Sequence, residues 1–440
     1  MKQPLDVEDY LAARAGDDAD FRERLVARPK ETLEQELGVK LAEGHVVHVH
    51  AETDTATHVV LPPPNKYTEA ERKEAMTGAS SLDFLKKTMY DPAPAMRPAA
   101  ASRASRETLA GERDRGRGQA PPLQEAARDS IRRGLAFLES TVDGNGAWHC
   151  IRFNLANPDI PRHYEKPGFV SALCALALEG CGEARARALC AATRAYLVSI
   201  MEYPGLWRYY RHLPPDLDST ALCSLVIGDH PWIVLGRNVP RILGNRDEEG
   251  RFMTWAFAED EPGVVADFRV EADPVVNANV IAYLGDRPET GDAQRWLEGL
   301  IAEGGLEGAS KWYPDTVSAY YAAVRAMTRA EPALAGLRPI LADRLLDLRD
   351  GEGEFGNVLQ TAQAVSALHG VGGLQAIDAQ REVERFLDVQ REDGSWPELL
   401  AFGDQSLQWG VIGQIGHGSE AVTSAFCIEA LGHLVEVLTG

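Results

Sequence analysis

The sequence lacks several features that would assign it to a common class of protein. It has no apolar run approaching the roughly eighteen residues of a membrane-spanning helix, and its N-terminus has no apolar core of an export signal. Its 45 Lys and Arg are outnumbered by 66 Asp and Glu, and a net charge of -21 offers no electrostatic footprint for nucleic acid. These absences predict a cytoplasmic protein with no membrane span and no nucleic-acid partner.

Cysteine is scarce, and no two cysteines form a C-x-x-C pair. The six are Cys150, Cys174, Cys181, Cys190, Cys223 and Cys427. Most of them fall in apolar helical stretches, which predicts buried thiols in a reducing compartment. There is no D-x-C pair, and His149 next to Cys150 is weak evidence for a metal site. We therefore predict no metal site and no cofactor.

Residues 1–79 are predicted to form a small α+β module. The segment DADFRERLVARPKETLEQEL predicts an amphipathic helix that is broken at Arg28 and Pro29, and HVVHVHAETDTATHVVLPPP predicts two strands around a polar turn. Three histidines of these strands offer a metal-binding alternative, although solvated side chains are the commoner case: His48, His50 and His58.

The order of these elements resembles the nitrile-hydratase-like leader peptides of ribosomally made, modified peptides. The matching pieces are DFRERLVARPKETLEQELGVKL, HVVLPPPNK and EAERKEAMTGA. The resemblance implies a processing site at Gly78 and Ala79. It also implies that residues 1–79 dock a peptide-maturation enzyme or a transporter.

Residues 80–122 separate this module from the rest of the chain. The stretch is rich in Pro, Ala, Gly and Arg and has few large apolar side chains. Such a composition cannot bury enough apolar surface to order itself, so we predict a flexible linker that acts as a solubilising tether.

Residues 123–440 are helical and repetitive. A turn rich in glycine carries an aromatic residue and recurs six times, at Trp148, Trp207, Trp255, Trp312, Phe355 and Trp396. An amphipathic helix precedes each turn and a wholly apolar helix follows it. Because a helix that is apolar all round must be buried, six such pairs predict an (α/α)6 toroid with apolar helices inside and amphipathic helices outside.

The repeats DGNGAW and VQREDGSWPE resemble those of the squalene-cyclase and prenyltransferase α/α-barrel superfamily. The segment DLDSTA resembles the D-x-D-D-T-A motif of class II terpene cyclases, with Asp216 at the first aspartate, Asp218 at the middle one and Thr220 at the threonine. Ser219 stands where that motif has its third aspartate. The resemblance implies an isomerase in which Asp218 protonates a polyprenyl or other long apolar chain and Asp216 tunes its acidity.

This chemistry needs a carboxylic acid held protonated in an apolar cavity, with aromatic faces to stabilise carbocations. The candidate substrate contacts are Trp207, Tyr209, Tyr210, Trp255, Asn277, Asn279, Trp312, Tyr313, Tyr320 and Glu420. Asn277 and Asn279 cannot share a helix face. Of Tyr320 and Tyr321, one is expected to face the lumen and the other the outer layer.

Structural alternatives exist for most of these residues. Asp218 follows two prolines and precedes an apolar helix, which is the position of an N-cap. Asp273, Asp315 and Ser419 are plausible caps of other inner helices, and the repeat tryptophans are more often plugs between helices than substrate contacts.

Neighbouring activities of the superfamily depend on features that this chain lacks. Protein prenyltransferases and lanthionine-forming cyclases need zinc, and class I terpene synthases need a D-D-x-x-D motif, which is absent. The implied cation chemistry is metal-free, with magnesium entering only on a diphosphate-bearing substrate. The alternative function is a non-catalytic or modifying toroid partner in ribosomal-peptide maturation.

Overall fold

The computed structural model describes most of the toroid and part of the N-terminal module. The described residues are 15, 18–37, 49, 122–155, 162–202, 205–210, 213–228, 238–256, 271–404 and 415–439. The predicted processing site at Gly78 and Ala79, the three N-terminal histidines and almost all of the predicted strands and linker lie outside these residues. Those predictions stay predictions.

Two short helices form the described part of the N-terminal module, α1 at Ala19–Ala27 and α2 at Pro29–Leu37. Asp18 caps α1 by accepting a hydrogen bond from the Phe21 amide at 2.9 Å. Helix α1 ends at Ala27, with Arg28 as its C-cap, because Pro29 cannot continue it. The same proline suits the first position of α2. The predicted break is confirmed.

From residue 123 onward, outer and inner helices alternate as the repeats predict. In chain order the described helices are α3 Leu123–Thr141, α4 Gly168–Leu178, α5 Ala184–Ser199, α6 Leu217–Ile227, α7 Asn238–Leu243, α8 Pro274–Leu284, α9 Gly291–Glu303, α10 Thr316–Arg329, α11 Arg338–Asp347, α12 Val358–Gly370, α13 Ala379–Val389 and α14 Glu420–Thr439. Odd-numbered helices bury one stripe, whereas α4, α6 and α8 are buried almost all round.

The inner helices close into a ring. Each even-numbered helix from α4 to α12 contacts the next even-numbered helix along the chain, and α14 contacts α4. The (α/α)6 toroid is thus confirmed. Because every inner helix follows an outer one, the inner helices run in the same direction, and their N-termini gather at one end of the lumen. Asp273 and Asp315 cap α8 and α10 there, as predicted.

A four-stranded antiparallel sheet fastens the first repeat to the last. Its strands are β1 Cys150–Asn154, β2 His163–Glu165, β3 Leu400–Asp404 and β4 Ile415–Gly418, in the order β2-β1-β4-β3. Arg152 of β1 pairs with His417 of β4, so the loops that lead into α4 and α14 are joined. The repeat pattern gave no sign of this sheet, because its pairing joins segments at opposite ends of the toroid sequence.

Three of the repeat tryptophans act as plugs between outer and inner helices. The indole N–H of Trp148, Trp207 and Trp396 donates to a carbonyl ten residues earlier, at 2.9 to 3.1 Å. The backbone amide of each tryptophan donates to a hydroxyl group on the following inner helix. In the third repeat Phe252 is fully buried and makes the equivalent backbone bond to Asn277, so Phe252 rather than Trp255 is the plug.

One described helix, α14, is long and apolar enough to span a membrane. Within the toroid, 67% of its most apolar window is buried. A core helix of the inner ring is buried to this extent. The burial agrees with the prediction that the apolar helices lie inside.

The glycine of the last repeat turn offers a test of how tightly the ring is packed. Gly394 has a φ of +89°, and a Cβ built there would lie 2.4 Å from the Arg133 carbonyl oxygen of α3. Gly372 has a φ of +72° with nothing within 4 Å of such a Cβ. We expect Gly372→Ala to cost about 1–2 kcal/mol for its left-handed backbone. Gly394→Ala should cost about 1–3 kcal/mol more, because α3 must move.

Urea unfolding of the parent and both variants measures this difference in the free energy of unfolding. Equal destabilisation by the two alanines would show that α3 does not press on the turn.

Candidate active site

Asp216 is the N-cap of inner helix α6. Its Oδ1 accepts from the Ser219 amide at 2.7 Å and its Oδ2 accepts from the Tyr209 amide at 2.9 Å. The prediction that Asp218 could fill this role is wrong, because the helix begins at Leu217, two residues before the start that an Asp218 cap would require. The Leu217 amide bonds to the Thr254 carbonyl oxygen, so the turn before α8 helps to fix where α6 starts.

Asp218 therefore caps no helix, and its carboxyl group contacts side chains of two other parts of the toroid. The Tyr313 hydroxyl donates to its Oδ2 at 2.7 Å, and the Asn279 amide nitrogen donates to its Oδ1 at 2.7 Å. Only 8% of the residue is exposed. A buried carboxyl group is thus held by one tyrosine before α10 and one asparagine on α8. Of the predicted site residues, the structure brings together Asp218, Asn279 and Tyr313.

The environment of both aspartates favours their protonated forms. Burial raises the pKa of Asp218, and this effect exceeds the opposing hydrogen bonds from Tyr313 and Asn279 and the charge of Arg325. Burial, together with the neighbouring Asp218 charge, raises the pKa of Asp216 to about 7. A carboxyl group kept protonated near neutral pH is what a general acid requires.

Arg325 of α10 supports this arrangement from the far side of Asn279. Its Nη1 donates to the Asn279 Oδ1 at 2.9 Å, which directs the amide nitrogen of Asn279 toward Asp218. The guanidinium carbon lies 4.9 Å from the centre of the Tyr321 ring, in the geometry of a cation–π contact. The positive charge near Asp218 stabilises the carboxylate that remains after a proton is given up.

A second carboxyl group, Glu429 of α14, completes the polar path across the lumen. The Tyr321 hydroxyl donates to its two oxygens at 3.1 and 3.2 Å. Burial raises the pKa of Glu429 to about 7. Sequence reasoning missed this residue. The usable signal was its position, because Glu429 is an acid within an apolar run and follows Val422 and Phe426 at helical spacing.

The lumen contains a small cavity between these groups. Its volume is about 20 Å³, room for about one water molecule. Its lining residues are Leu173, Asn279, Tyr313, Ser318, Tyr321, Ala322, Arg325, Gln363, Ala401, Val422 and Phe426. Pockets that hold drug-sized ligands measure roughly 300–1,000 Å³, so lumen side chains must move before a prenyl chain can enter.

A separate ionic cluster lies at the closing sheet, next to the Asp216 cap. Glu165 pairs with the Arg152 guanidinium at 3.1 Å and accepts from the Tyr209 hydroxyl at 3.1 Å, and its Oε2 lies 3.3 Å from His417 Nε2. Burial opposes ionisation, but the Arg152 charge and the contacts with His417 and Tyr209 outweigh it and lower the pKa of Glu165 to about 2. The predicted site residue Tyr209 belongs to this ionised cluster and binds Asp216 through its backbone.

Two predicted substrate contacts are structural. Trp207 is 1% exposed and its indole bonds to the Leu197 carbonyl oxygen, so it plugs two helices and does not face the lumen. Asn277 is fully buried and bonds to the Phe252 backbone and the Asp273 carbonyl oxygen. The two asparagines of α8 do face different ways, as their spacing predicts, and Asn279 is the one that meets Asp218.

Tyr320 and Glu420 were also predicted as substrate contacts, and both face away from the cavity. Tyr320 is 1% exposed and near the Arg344 charge of the outer helix α11, whereas Tyr321 lines the cavity. The division of the pair between lumen and outer layer is confirmed, but the lumen residue is Tyr321. Glu420 pairs with Arg391 outside the lumen.

The remaining predicted aromatics lie at the capped end of the inner helices. Trp255 and Trp312 pack edge to face with their ring centres 5.5 Å apart, and Trp255 pairs by its backbone with Asp216. The Trp312 indole donates to Glu271 at 2.9 Å. Tyr210 is partly buried, and its carbonyl oxygen accepts from the Leu213 amide. None of these three is among the residues that line the described cavity.

Comparisons with known proteins agree with this fold. No protein-family model matches the chain. In sequence it is 23% identical over 223 residues to the drimenol cyclase drtB of Aspergillus calidoustus, a match that covers 50% of this chain and 38% of that protein. The aligned region is thus well under half the length of this relative.

Solved structures of similar fold include the type II terpene cyclase MstE from Scytonema, with a TM-score of 0.53 and 17% identity over 72% of this chain and 99% of that one. An MstE variant in complex with the substrate geranylgeranyl dihydroxybenzoate has a TM-score of 0.54 and 16% identity over the same shares. A protein from Actinoplanes has a TM-score of 0.54 and 18% identity over 70% of this chain and 99% of its own. The fold is thus that of the α/α-toroid terpene cyclases. In sequence, about half of the chain is distantly similar to a drimenol cyclase.

Proposed function

We propose that this chain is a class II terpene-cyclase-like isomerase in which Asp218 is the general acid. The observation that carries the proposal is a buried carboxyl group that caps no helix and is oriented by Tyr313 and Asn279, two residues of the lumen wall. The proposed substrate is a polyprenyl or other long apolar chain, as the apolar inner helices favour.

In the proposed reaction Asp218 transfers its proton to a terminal carbon–carbon double bond. The π electrons form the new C–H bond, and the adjacent carbon becomes a carbocation that further double bonds of the same chain attack to close rings. The Asp218 carboxylate keeps its hydrogen bonds from Tyr313 and Asn279 and the nearby positive charge of Arg325. Aromatic faces such as those of Tyr321 and Phe426 stabilise the cation without reacting with it.

The reaction ends when the last cation loses a proton, so that substrate and product are isomers. We propose Glu429 as the acceptor, since it is bonded to the lumen residue Tyr321 and has a pKa near neutrality. A proton enters from one carboxyl group and leaves to another, and no cofactor is consumed.

Product analysis tests the proposal. The purified chain would be incubated with farnesyl and geranylgeranyl diphosphates, squalene, oxidosqualene and geranylgeranyl dihydroxybenzoate, and the extracts analysed by mass spectrometry. A cyclic product with the mass of its substrate supports it. If no substrate is consumed, the alternative of a non-catalytic partner gains weight.

The Glu429→Gln variant tests the second carboxyl group. Glutamine keeps the size of the side chain but cannot accept the final proton, so we expect kcat to fall by about 10²-fold. We also expect products to shift from alkenes toward alcohols formed when water captures the cation. Glu420→Gln is the matched control on the same helix, because Glu420 pairs with Arg391 outside the lumen. Equal product profiles for the two variants would exclude Glu429 as the acceptor.

We also propose that residues 1–79 recruit a peptide-maturation enzyme or transporter to the toroid. The support is the leader-like sequence, to which α1 and α2 contribute the helical part. A pull-down with the full chain, and with a chain in which an unrelated sequence replaces residues 1–79, tests this role separately from catalysis. The role predicts a partner that binds the full chain and not the replaced one.

A further inference from the structure

Three potential metal ligands meet at the end of the inner ring opposite to Asp218. His369 lies at the end of α12, and His433 and Glu436 lie in the last two turns of α14. One ligand atom from each lies within 4.8 Å of the other two. This is the one such group of three among the residues that the structure describes.

The register of α14 places this cluster on the lumen side. Val422 and Phe426 line the cavity, and Glu429 bonds to the lumen residue Tyr321. Steps of four and three residues continue the same stripe to His433 and Glu436. The pair is thus one helical turn apart on one face, a spacing at which two side chains can hold the same ion.

Both imidazoles are available as ligands. The rings of His369 and His433 stack with their centres 3.8 Å apart and their planes 14° apart. Within the described part of the chain neither ring has a hydrogen bond to a protein group, and the nearest acid is Glu436, whose Oε2 is 3.7 Å from His369 Nε2.

We propose that His369, His433 and Glu436 bind one divalent transition-metal ion of the zinc class. Two imidazoles and one carboxylate are ligands that zinc accepts, and three protein ligands leave a position for water. The side chains of His369 and Glu436 are 43% and 72% exposed, so an ion can reach the site. Tetrahedral zinc with bonds of about 2.0–2.2 Å needs ligand atoms roughly 3.3 Å apart, which requires the two rings to rotate out of their stack.

A bound ion would join the last two inner helices at their C-terminal ends. Because it binds the folded chain, it should stabilise the toroid, and this stabilisation should grow with the logarithm of the ion concentration above its Kd. This site does not depend on the proposed cyclase activity, so its test uses binding and melting temperature and no substrate.

The experiment titrates Zn²⁺ into the full chain after treatment with EDTA and removal of the chelator, by isothermal titration calorimetry. We expect one ion per chain at this site and a rise in melting temperature with added Zn²⁺. His433→Ala should weaken this binding by about 100-fold and Glu436→Gln by about tenfold. His369→Ala gives a second test at a more exposed position, where the fold is less at risk.

Two controls separate this site from other histidines. His149 is partly buried and stacks on Tyr164, but it belongs to no three-ligand cluster of the described residues, so His149→Ala should bind Zn²⁺ as the parent does. Joint replacement of His48, His50 and His58 by alanine should also leave the binding intact. The proposal is overturned if the parent binds no Zn²⁺. It is equally overturned if His433→Ala and His369→Ala bind like the parent, or if only the N-terminal replacements abolish binding.

Discussion

Asp218→Asn should abolish cyclisation while the toroid stays folded. Asparagine matches aspartate in shape and can still meet the Tyr313 hydroxyl and the Asn279 amide, so the local structure should persist. An amide has no acidic proton to give to an alkene, and no other carboxyl group is bonded to both of these lumen residues in the described part of the chain. We expect a loss of about 10³-fold or more in kcat, within the range that general acids contribute.

Asp273→Asn is the matched control for this prediction. Asp273 is another buried aspartate, at the start of α8, and burial raises its pKa to about 6. Its oxygens accept from the Val275 and Lys311 amides and from Ser310, so its role is that of a cap. Asparagine is a good N-cap but leaves the Lys311 amide without its acceptor, so this variant should lose some stability and keep most of its activity.

The comparison distinguishes a catalytic acid from a structural one. Mass spectrometry of the products and melting temperatures would be measured for the parent and both variants. A stable Asp218→Asn protein that makes product at the parental rate would refute the assignment. A similar loss in both variants would point to damage at this end of the lumen instead.

The roles of the two aspartates illustrate what the sequence could and could not reveal. The motif DLDSTA, followed by an apolar run and preceded by two prolines, predicted that both aspartates lie at the start of an inner helix, and they do. Which aspartate caps the helix depends on whether α6 begins at Leu217 or two residues later. The start at Leu217 is supported by a backbone hydrogen bond from Leu217 to Thr254. Because Thr254 belongs to the next repeat, the sequence around Asp216 does not reveal this bond.

The toroid itself was predictable because its signal repeats. The inner helices are mostly apolar, and a plug such as Trp207 or Trp396 recurs two residues after a glycine of positive φ. The cavity residues were less predictable, because the rotation of each helix about its own axis decides which side chain meets the lumen. That rotation selects Tyr321 over Tyr320 and Asn279 over Asn277. A wholly apolar helix gives no amphipathic stripe from which to read it.

Arg325 and Glu429 show a second limit of sequence reasoning. They lie on α10 and α14, and the polar path from Asp218 through Asn279 to Arg325 joins three separate repeats. Such a path is recognisable only once the ring has closed. The same holds for the small sheet, in which the first repeat pairs with the last.

The contribution of Asp216 to the stability of the chain should fall as the pH rises from about 5 to 8. Asp216 has a pKa of about 7 against an ordinary value of 3.8. Between these values the folded state holds a proton that the unfolded state has lost. The stabilisation from that proton is full below pH 3.8 and disappears as the pH rises through 7. One such group changes the free energy of unfolding by at most about 1.4 kcal/mol per pH unit.

Other groups contribute differently over this window. His149 and His433 have pKa values lowered to about 4, so their burial destabilises the fold at low pH, and stability from them rises until about pH 6.5. Glu165 has a pKa lowered to about 2, and its stabilisation is lost only as the pH falls toward that value. A single curve for the parent therefore mixes opposite slopes, and a variant is needed to isolate Asp216.

Asp216→Asn supplies that comparison. Asparagine keeps an oxygen for the Ser219 amide but leaves the Tyr209 amide without its acceptor, which costs about 1–3 kcal/mol at every pH. This cost lowers the free energy of unfolding at every pH, whereas removal of the titrating group makes that free energy depend less on pH. Urea unfolding at several pH values should therefore show the variant approaching the parent in stability as the pH rises from 5 to 8. A constant difference in the free energy of unfolding between variant and parent would mean that Asp216 is already ionised at pH 5. The apolar end of the lumen would then not hold carboxyl groups in the protonated form that the proposed reaction needs.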